Sequence, residues 1–280
     1  MISIIICSRE KQIKSDLSEN LKNTVGCDYE LIVIDNSENN YSIFEAYNLG
    51  IEISKGEYLC FIHDDILFHT IGWGNIVNRL FNENKEYGLI GVAGATVKSK
   101  TPTGWWDCEE KYKLINIIQH FPFKENQLQQ IGFENFSLKE AVVVDGVFLA
   151  LSHDTKVRFD QNSNGFHGYD LNIAFEMNLK GYKIGVTNEI LLEHFSIGNP
   201  NLEWLISSNK IHKIYKKILP LTLNPKIKKS IEEHSLNAII NYCLKFGKKE
   251  EALKYWLKLF LVNPFSKTHL ILINRIIKKI

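Results

Sequence analysis

The chain has 280 residues, 45% of them hydrophobic and 11% aromatic, enough for one large core or for a core with a small appendage. Charged residues at 23% and only 6 prolines exclude disordered and fibrous classes. The formal net charge of +1 hides a split: residues 210–280 carry sixteen Lys or Arg against four Asp or Glu, a net of +12, which leaves −11 on residues 1–209. Such asymmetry points to different partners for the two segments.

Ile2 to Cys7 is a β-branched run of the kind found in a strand buried on both faces. Ile13, Leu17 and Leu21 predict a helical stripe that stops near Gly26. A second buried strand is expected over Tyr29–Ile34, ending at Asp35-Asn36-Ser37. Ser42 and Glu45 have capping-box spacing ahead of a stripe of Phe44, Tyr47 and Ile51 that ends by Gly56. Tyr58–Ile62 reads as a third strand, ending in His63-Asp64-Asp65. Trp73, Ile76, Val77, Leu80 and Phe81 predict another helix, and Leu89–Val92 a fourth strand. This alternation implies an open parallel sheet with helices on both faces, a design that gathers ligands at strand carboxyl ends. Asp35 and the His63–Asp65 cluster both lie at such ends.

The middle is less regular. Thr101–Asp107 reads as a loop carrying Trp105 and Trp106, and Gln119–Phe136 shows no clean period. Ala141–Val144 is an apolar β-branched run, which Asp145-Gly146 interrupts before Val147–Leu151. Asp160–Asn164 is polar and leads to Gly165-Phe166-His167-Gly168-Tyr169-Asp170. Leu171, Ala174, Phe175 and Leu179 mark a helix ended by Gly181, and Tyr182–Val186 a further strand; His194 lies two positions beyond Leu191-Leu192. From about Pro200 strand patterns give way to lysine-rich helical stripes, the clearest being Ala252, Tyr255, Trp256, Leu259 and Phe260, ended by Pro264. The expected boundary therefore divides residues 1–200 from a basic extension, 201–280.

The five cysteines are scattered, without a C-x-x-C pair, which argues against a disulfide framework and a structural zinc site and points to a reducing cytoplasmic location. Met1–Cys7 is too short for a signal h-region and lacks a basic leader, and no apolar run approaches the roughly 20 residues of a membrane span.

Several groups admit two readings. His63-Asp64-Asp65 suits a divalent cation between carboxylates and a nucleotide diphosphate, or is a solvated acidic turn. Asp35 suits a ribose or base contact, or an Asx-turn; Ser8 and Arg9 share its edge. Asp170 is a helix-capping acid or a general base. His194 is a satisfied histidine or a third metal ligand, and one of Trp105 and Trp106 is a stacking platform unless both are core.

In order, Ser3–Arg9, Glu30–Asn36, Ala46-Tyr-Asn-Leu-Gly50, Lys55–Asp65, Val144–Phe148, Gly165–Asp170 and His194 resemble the inverting glycosyltransferase family two, and more closely its streptomycin-biosynthesis StrF-like branch. The resemblance spans roughly residues 2–198. It implies a GT-A fold, a Rossmann-like open mixed sheet flanked by helices, followed by the helical extension. It implies Asp35 at the nucleotide base and Asp65 as the second acid of the metal-binding DXD motif, with His63 in the place of the first. It also implies Asp170 as the catalytic base, Tyr169 standing where the family has glutamate, and His194 completing the metal site. Ser8, Arg9, Asn48, His63, Asp64 and Asp145 would serve the nucleotide or donor sugar, with either His63 or Asp64 at the nucleotide. The implied cofactor is Mg²⁺ or Mn²⁺ and the donor a nucleoside-diphosphate sugar, UDP-sugars first. The implied acceptor is a glycan, a lipid-linked molecule or a protein, and no nucleic acid is expected. The alternative is a non-catalytic nucleotide-sugar or carbohydrate-binding protein on the same fold. Residues 246–256 with Asn263-Pro264 resemble a tetratricopeptide-type helix pair, and the basic segment is a solvated face or a peripheral contact with anionic lipid or a partner protein.

Overall fold

The computed structural model describes residues 1–121, 125–135, 137–196, 198, 200–266 and 268–278. The first half comprises β1 (Ile2–Ser8), α1 (Ser15–Thr24), β2 (Tyr29–Asp35), α2 (Ile43–Ile53), β3 (Tyr58–Ile62), β4 (Ile66–Phe68), α3 (Trp73–Glu83), β5 (Tyr87–Gly91), β6 (Ala93–Ala95), β7 (Val97–Lys98), β8 (Lys113–Gln119) and β9 (Gln127–Ile131). The second half comprises β10 (Leu138–Ala141), β11 (Val143–Val144), β12 (Phe148–Ser152), α4 (Tyr169–Leu179), β13 (Lys183–Thr187), β14 (Leu192–His194), α5 (Leu202–Ile214), β15 (Leu221–Thr222), α6 (Lys228–Lys245), α7 (Lys249–Val262) and α8 (Thr268–Lys278).

Seven strands form the main sheet in the order β10-β13-β5-β12-β3-β1-β2. β1 runs parallel to β2 and β3, and β13 parallel to β5. β12 lies between these groups and runs against both β3 and β5. The sheet is therefore mixed, as the family resemblance implies, and the parallel expectation from strand–helix alternation fails at β12 and at β10, which runs against β13. After β5 the chain does not return through a crossover helix; it first builds a second sheet and re-enters antiparallel. Ile2, Ile4, Ile5 and Ile6 have no exposed surface, so both faces of β1 are covered. β2 is an edge strand, with Ile32 its one buried residue, which corrects the expectation of a second fully buried strand. The capping box forms as its spacing predicts: Ser42 Oγ accepts from Glu45 N–H, and Glu45 accepts from Ser42 N–H at 2.8 Å, a motif that contributes about 1 kcal/mol. In α4 Leu179 is exposed while Leu171, Ile173, Ala174, Phe175 and Met177 are buried, so the buried face is wider than the expected stripe.

The second sheet runs β11-β6-β8-β14-β4, with β9 on the other edge of β8. The stretch that lacked a period, 119–136, holds β9, an exposed polar edge whose alternation is too weak to read; residues 122–124 and 136 lie outside the described residues. The run Ala141–Val144 divides between the two sheets, at β10 and β11. β4 begins four residues after β3 ends and pairs antiparallel with β14, setting Ile66 opposite His194. That pairing brings the end of β14 to the carboxyl edge of the main sheet.

The helical tail has its own apolar cluster, in which Trp204, Leu205, Leu236, Ile239, Ile240, Ala252 and Leu259 are buried. Ile211 of α5 and Tyr215, just past its end, belong instead to the main core, and Trp106 packs against both clusters. Among the described residues no helix is long and apolar enough to cross a membrane.

Candidate active site

A cavity of about 790 Å³ opens at the carboxyl ends of β1 and β3. Arg9, His63, Asp64, Asp65, Asp145, Tyr169, Asp170 and His194 all line it. Five chain segments meet here: Arg9 follows β1, β3 delivers residues 63–65, Asp145 follows β11, the β4–β14 pair delivers His194, and α4 delivers Tyr169 and Asp170 from its first turn. The Phe195 N–H donates to the Asp65 carbonyl at 3.0 Å and locks the two strand ends together.

Three donor atoms converge within the cavity. His63 Nδ1 lies 3.4 Å from His194 Nε2 and 3.7 Å from Asp65 Oδ1, and His194 Nε2 lies 3.6 Å from the same oxygen. Donors so spaced can all touch one cation at bond lengths of roughly 2.0–2.2 Å. Burial pushes the Asp65 carboxyl up, but interactions with His194 and Ser196 and the field of the two imidazoles outweigh it and hold the group below the usual carboxylate range. Burial, reinforced by His194, pushes the His63 imidazole below its ordinary value. The cluster thus favours a carboxylate beside a neutral imidazole, the protonation states a cation requires. Two imidazoles with one carboxylate suit Mn²⁺ better than the oxygen-preferring Mg²⁺.

The ring nitrogens that face away from this point are also engaged. His63 Nε2 lies 2.6 Å from the Tyr169 hydroxyl, and His194 Nδ1 lies 3.3 Å from Gln119 Oε1. A Cβ on residue 146 would stand 2.2 Å from the Tyr169 oxygen, so Gly146 is needed for the phenol to reach His63.

Asp170 follows Tyr169 in the first turn of α4, where Gly168 is the N-cap residue and no side chain caps the helix. Burial, with Asp145 nearby adding to it, pushes Asp170 up to about 7, near the value that suits a general base at neutral pH. Asp145 is itself tied: it accepts from Trp105 Nε1 at 2.6 Å and from the Val147 N–H at 2.8 Å. Asp64 pairs with Arg9 at 3.0 Å on the rim.

Not every expected residue reaches the cavity. Asn48 is buried and forms two bonds with the backbone of Phe159, at 2.9 and 3.0 Å, so it is a structural tie away from the cavity lining. Ser8 is buried and accepts from the Glu10 N–H, beside a small separate pocket that it shares with Arg9. Asp35 is exposed outside the cavity lining and accepts from the Ser37 N–H at 2.9 Å, the Asx-turn geometry. Trp105 is buried. Trp106 is half-buried: it lies against Gly104, where a Cβ would meet the indole at 2.4 Å, and its ring stacks on that of Trp204 with centroids 5.9 Å apart. Both indoles nevertheless line the cavity.

Sequence reasoning missed three contributors. Gln119 ends β8, in a segment whose pattern gave no signal. Trp204 and Tyr242 reach the cavity from the tail helices α5 and α6, which nothing in their spacing indicated. Tyr169 did carry a signal, since it stands where the resembled family has a glutamate.

A family model described as a glycosyltransferase-like family matches residues 3–217. The chain is 23% identical over 306 aligned positions to poly(ribitol-phosphate) beta-N-acetylglucosaminyltransferase TarP of Staphylococcus aureus (strain N315), covering 92% of this chain and 83% of that protein. Among solved structures it resembles GalNAc-T7, determined with UDP, GalNAc and Mn²⁺, at a TM-score of 0.54 and 11% identity, over 77% of this chain and 50% of that one. That likeness shows a shared GT-A fold.

Proposed function

The chain belongs to the glycosyltransferase-like family, and on that premise we propose that it moves a sugar from a nucleoside-diphosphate donor to an acceptor hydroxyl with inversion at the anomeric carbon. The observation that carries this reading is the meeting of Asp65, His63, His194 and Asp170 on one cavity at the strand ends. The relative named for a β-linked product is consistent with inversion of an α-linked donor. A neighbour of the same fold determined with UDP and Mn²⁺ supports a UDP-sugar and a divalent cation here.

In this reading Asp65, His63 and His194 hold Mn²⁺ or Mg²⁺. The ion, when bound, offsets the charge that develops on the leaving diphosphate. Arg9 and Asp64 line the entrance and contact the donor, while Asp35 reaches the nucleotide base with the oxygen not used by Ser37. Asp145, fixed by Trp105 and the Val147 N–H, borders the donor sugar. Asp170 takes the proton of the acceptor hydroxyl as that oxygen attacks. Its raised affinity for protons makes it a stronger base than an ordinary carboxylate.

The domain assignment follows the same reading: residues 1–200 form the catalytic domain and 201–280 a basic helical extension. Trp204 and Tyr242 extend the cavity on that side, where a glycan, lipid-linked or protein acceptor would enter. The tail shows Phe265 at 94%, Leu261 at 83% and Leu270 at 74% exposure among its lysines, which supports peripheral contact with an anionic membrane at its cytoplasmic face.

The deciding measurement is release of nucleoside diphosphate from a panel of nucleotide sugars with Mn²⁺, in wild type and Asp170→Asn. Wild-type turnover that is lost in Asp170→Asn, with donor binding kept, is the expected result. Donor binding by the wild type without any turnover would return the chain to the binding-protein alternative.

A further inference from the structure

We infer that Tyr169 is a positioning residue for the metal centre: its phenol fixes His63 in the tautomer that turns Nδ1, as a bare lone pair, toward Asp65 and His194. The inference rests on the metal reading given above and deepens it. A neutral imidazole carries one proton, so a nitrogen that is to bind a cation must leave the proton on the other nitrogen. His63 Nδ1 faces the donor cluster, and Nε2 lies 2.6 Å from the Tyr169 hydroxyl. The phenol oxygen accepts from Nε2–H and so reserves Nδ1 for the ion.

His194 shows the same design in mirror form. Its Nδ1 faces Gln119 Oε1, and its Nε2 faces the cluster. Gln119 presents that oxygen because its amide nitrogen donates to the carbonyls of Ser196, at 2.7 Å, and His120, at 3.0 Å. Each imidazole thus has its outer nitrogen tied and its inner nitrogen turned toward Asp65. Tyr169 is well placed to hold its ring still. It is buried, packs edge-on against Tyr47 at 5.6 Å, and its oxygen fits only because residue 146 lacks a side chain. It also shares the first turn of α4 with Asp170, so one helical turn orients the metal ligand and supplies the base.

The two departures from the resembled family then form one change. A histidine stands in the place of the first acid of the metal motif at position 63, and a tyrosine in the place of the glutamate at 169; in this chain the two side chains meet at 2.6 Å. A phenol offers an oxygen acceptor without adding a second negative charge beside Asp65, Asp145 and Asp170.

The test is Mn²⁺ affinity of the full chain, by electron paramagnetic resonance titration without donor, in wild type, Tyr169→Phe and Asp65→Asn. Losing an orienting partner of a ligand histidine typically weakens metal binding about 10–100-fold. A loss of that size in Tyr169→Phe, with the thermal midpoint of the metal-free protein unchanged and binding abolished in Asp65→Asn, is expected. Unaltered affinity in Tyr169→Phe together with loss in Asp65→Asn overturns the role of Tyr169 and leaves the metal reading standing. Unaltered affinity in both variants overturns the metal reading itself. Should Tyr169→Phe fold poorly, long-range ¹H–¹⁵N spectra of the wild-type His63 ring with Zn²⁺ decide the matter. A proton on Nε2 supports the inference, and a proton on Nδ1 overturns it.

Discussion

At the strand ends, a carboxylate and two imidazoles stand 3.4–3.7 Å apart and partly shielded from water, each imidazole with a named partner behind it. In the tail, Lys213, Lys216, Lys217, Lys254 and Lys258 are exposed at the surface. Both regions are rich in charge, yet the first is organised and the second diffuse. Organised charge in low dielectric responds steeply to removal of one group, because each neighbour is left unpaired. Diffuse charge in water responds in small, nearly additive steps that salt erases. Four measurements would break or sharpen this contrast.

The largest effect belongs to Asp170→Asn. Loss of a general base typically costs about 10²–10⁴-fold in rate, and initial-rate assays with a responsive donor should show a fall in that range. Replacing Phe265 with Glu in the tail should leave the rate on a soluble acceptor unchanged. Comparable losses in the two variants would mean that the tail is as organised as the cavity, and the contrast would collapse.

Next comes the joint between the regions. Trp106 packs against Gly104 and Trp204, and its Nε1 donates to the Tyr242 hydroxyl at 3.3 Å. Truncating a largely buried tryptophan costs about 3–5 kcal/mol, although partial exposure here favours the lower end. Trp106→Ala should lower the thermal midpoint by roughly 6–12 °C, at about 2–4 °C per kcal/mol for a chain of this size. A calorimetric scan that shows an unchanged midpoint would mean that the tail is held by other contacts.

The organised region should also titrate. Asp170 sits at about 7 in the folded protein against 3.8 in the free state, and in the proposed role of base it must be ionised. The rate should rise about tenfold per pH unit below 7 and level off above it. Stability moves the other way. A carboxyl whose affinity for protons is raised by folding contributes stability that is complete below the unfolded value and lost as pH rises through about 7. Asp170→Asn should therefore be the more stable protein at pH 8, by circular-dichroism melting, and lose this advantage near pH 4. A wild-type rate flat between pH 5 and 8 would remove Asp170 from the base role.

The same contrast decided how much the sequence could reveal. The β1–α1–β2–α2–β3 order follows from β-branched runs and one capping box, local patterns that tertiary packing left intact even where β2 became an edge. The position of β12 between β3 and β5 has no local signature, because insertion order in a sheet depends on what the chain builds in between. At the site, Asp65, His194 and Asp170 were legible as acids and a histidine in family-like motifs. Asn48 was misleading for the opposite reason: an amide inside a motif can serve the backbone of Phe159 as readily as a ligand. Gln119 could not be found, since its role depends on carbonyls more than seventy residues away that only the fold brings near. Tyr169 was visible as a departure, but its meaning required the distance to His63.

The smallest effect tests the diffuse region. Each lysine near an anionic surface contributes about 1 kcal/mol, so Lys254→Ala should weaken pelleting with vesicles rich in anionic phospholipid by about fivefold. Raising the salt from 0.1 M to 1 M shortens the screening length from about 10 Å to about 3 Å and should release the wild type almost completely. If release fails at 1 M, the exposed apolar side chains Leu261, Phe265 and Leu270 carry the attachment instead, because their burial does not weaken with salt. Glutamate at Phe265 should then abolish binding where Lys254→Ala does not. Absence of pelleting at either salt would leave the lysines as a solvated face and confine the functional charge of this chain to the strand ends.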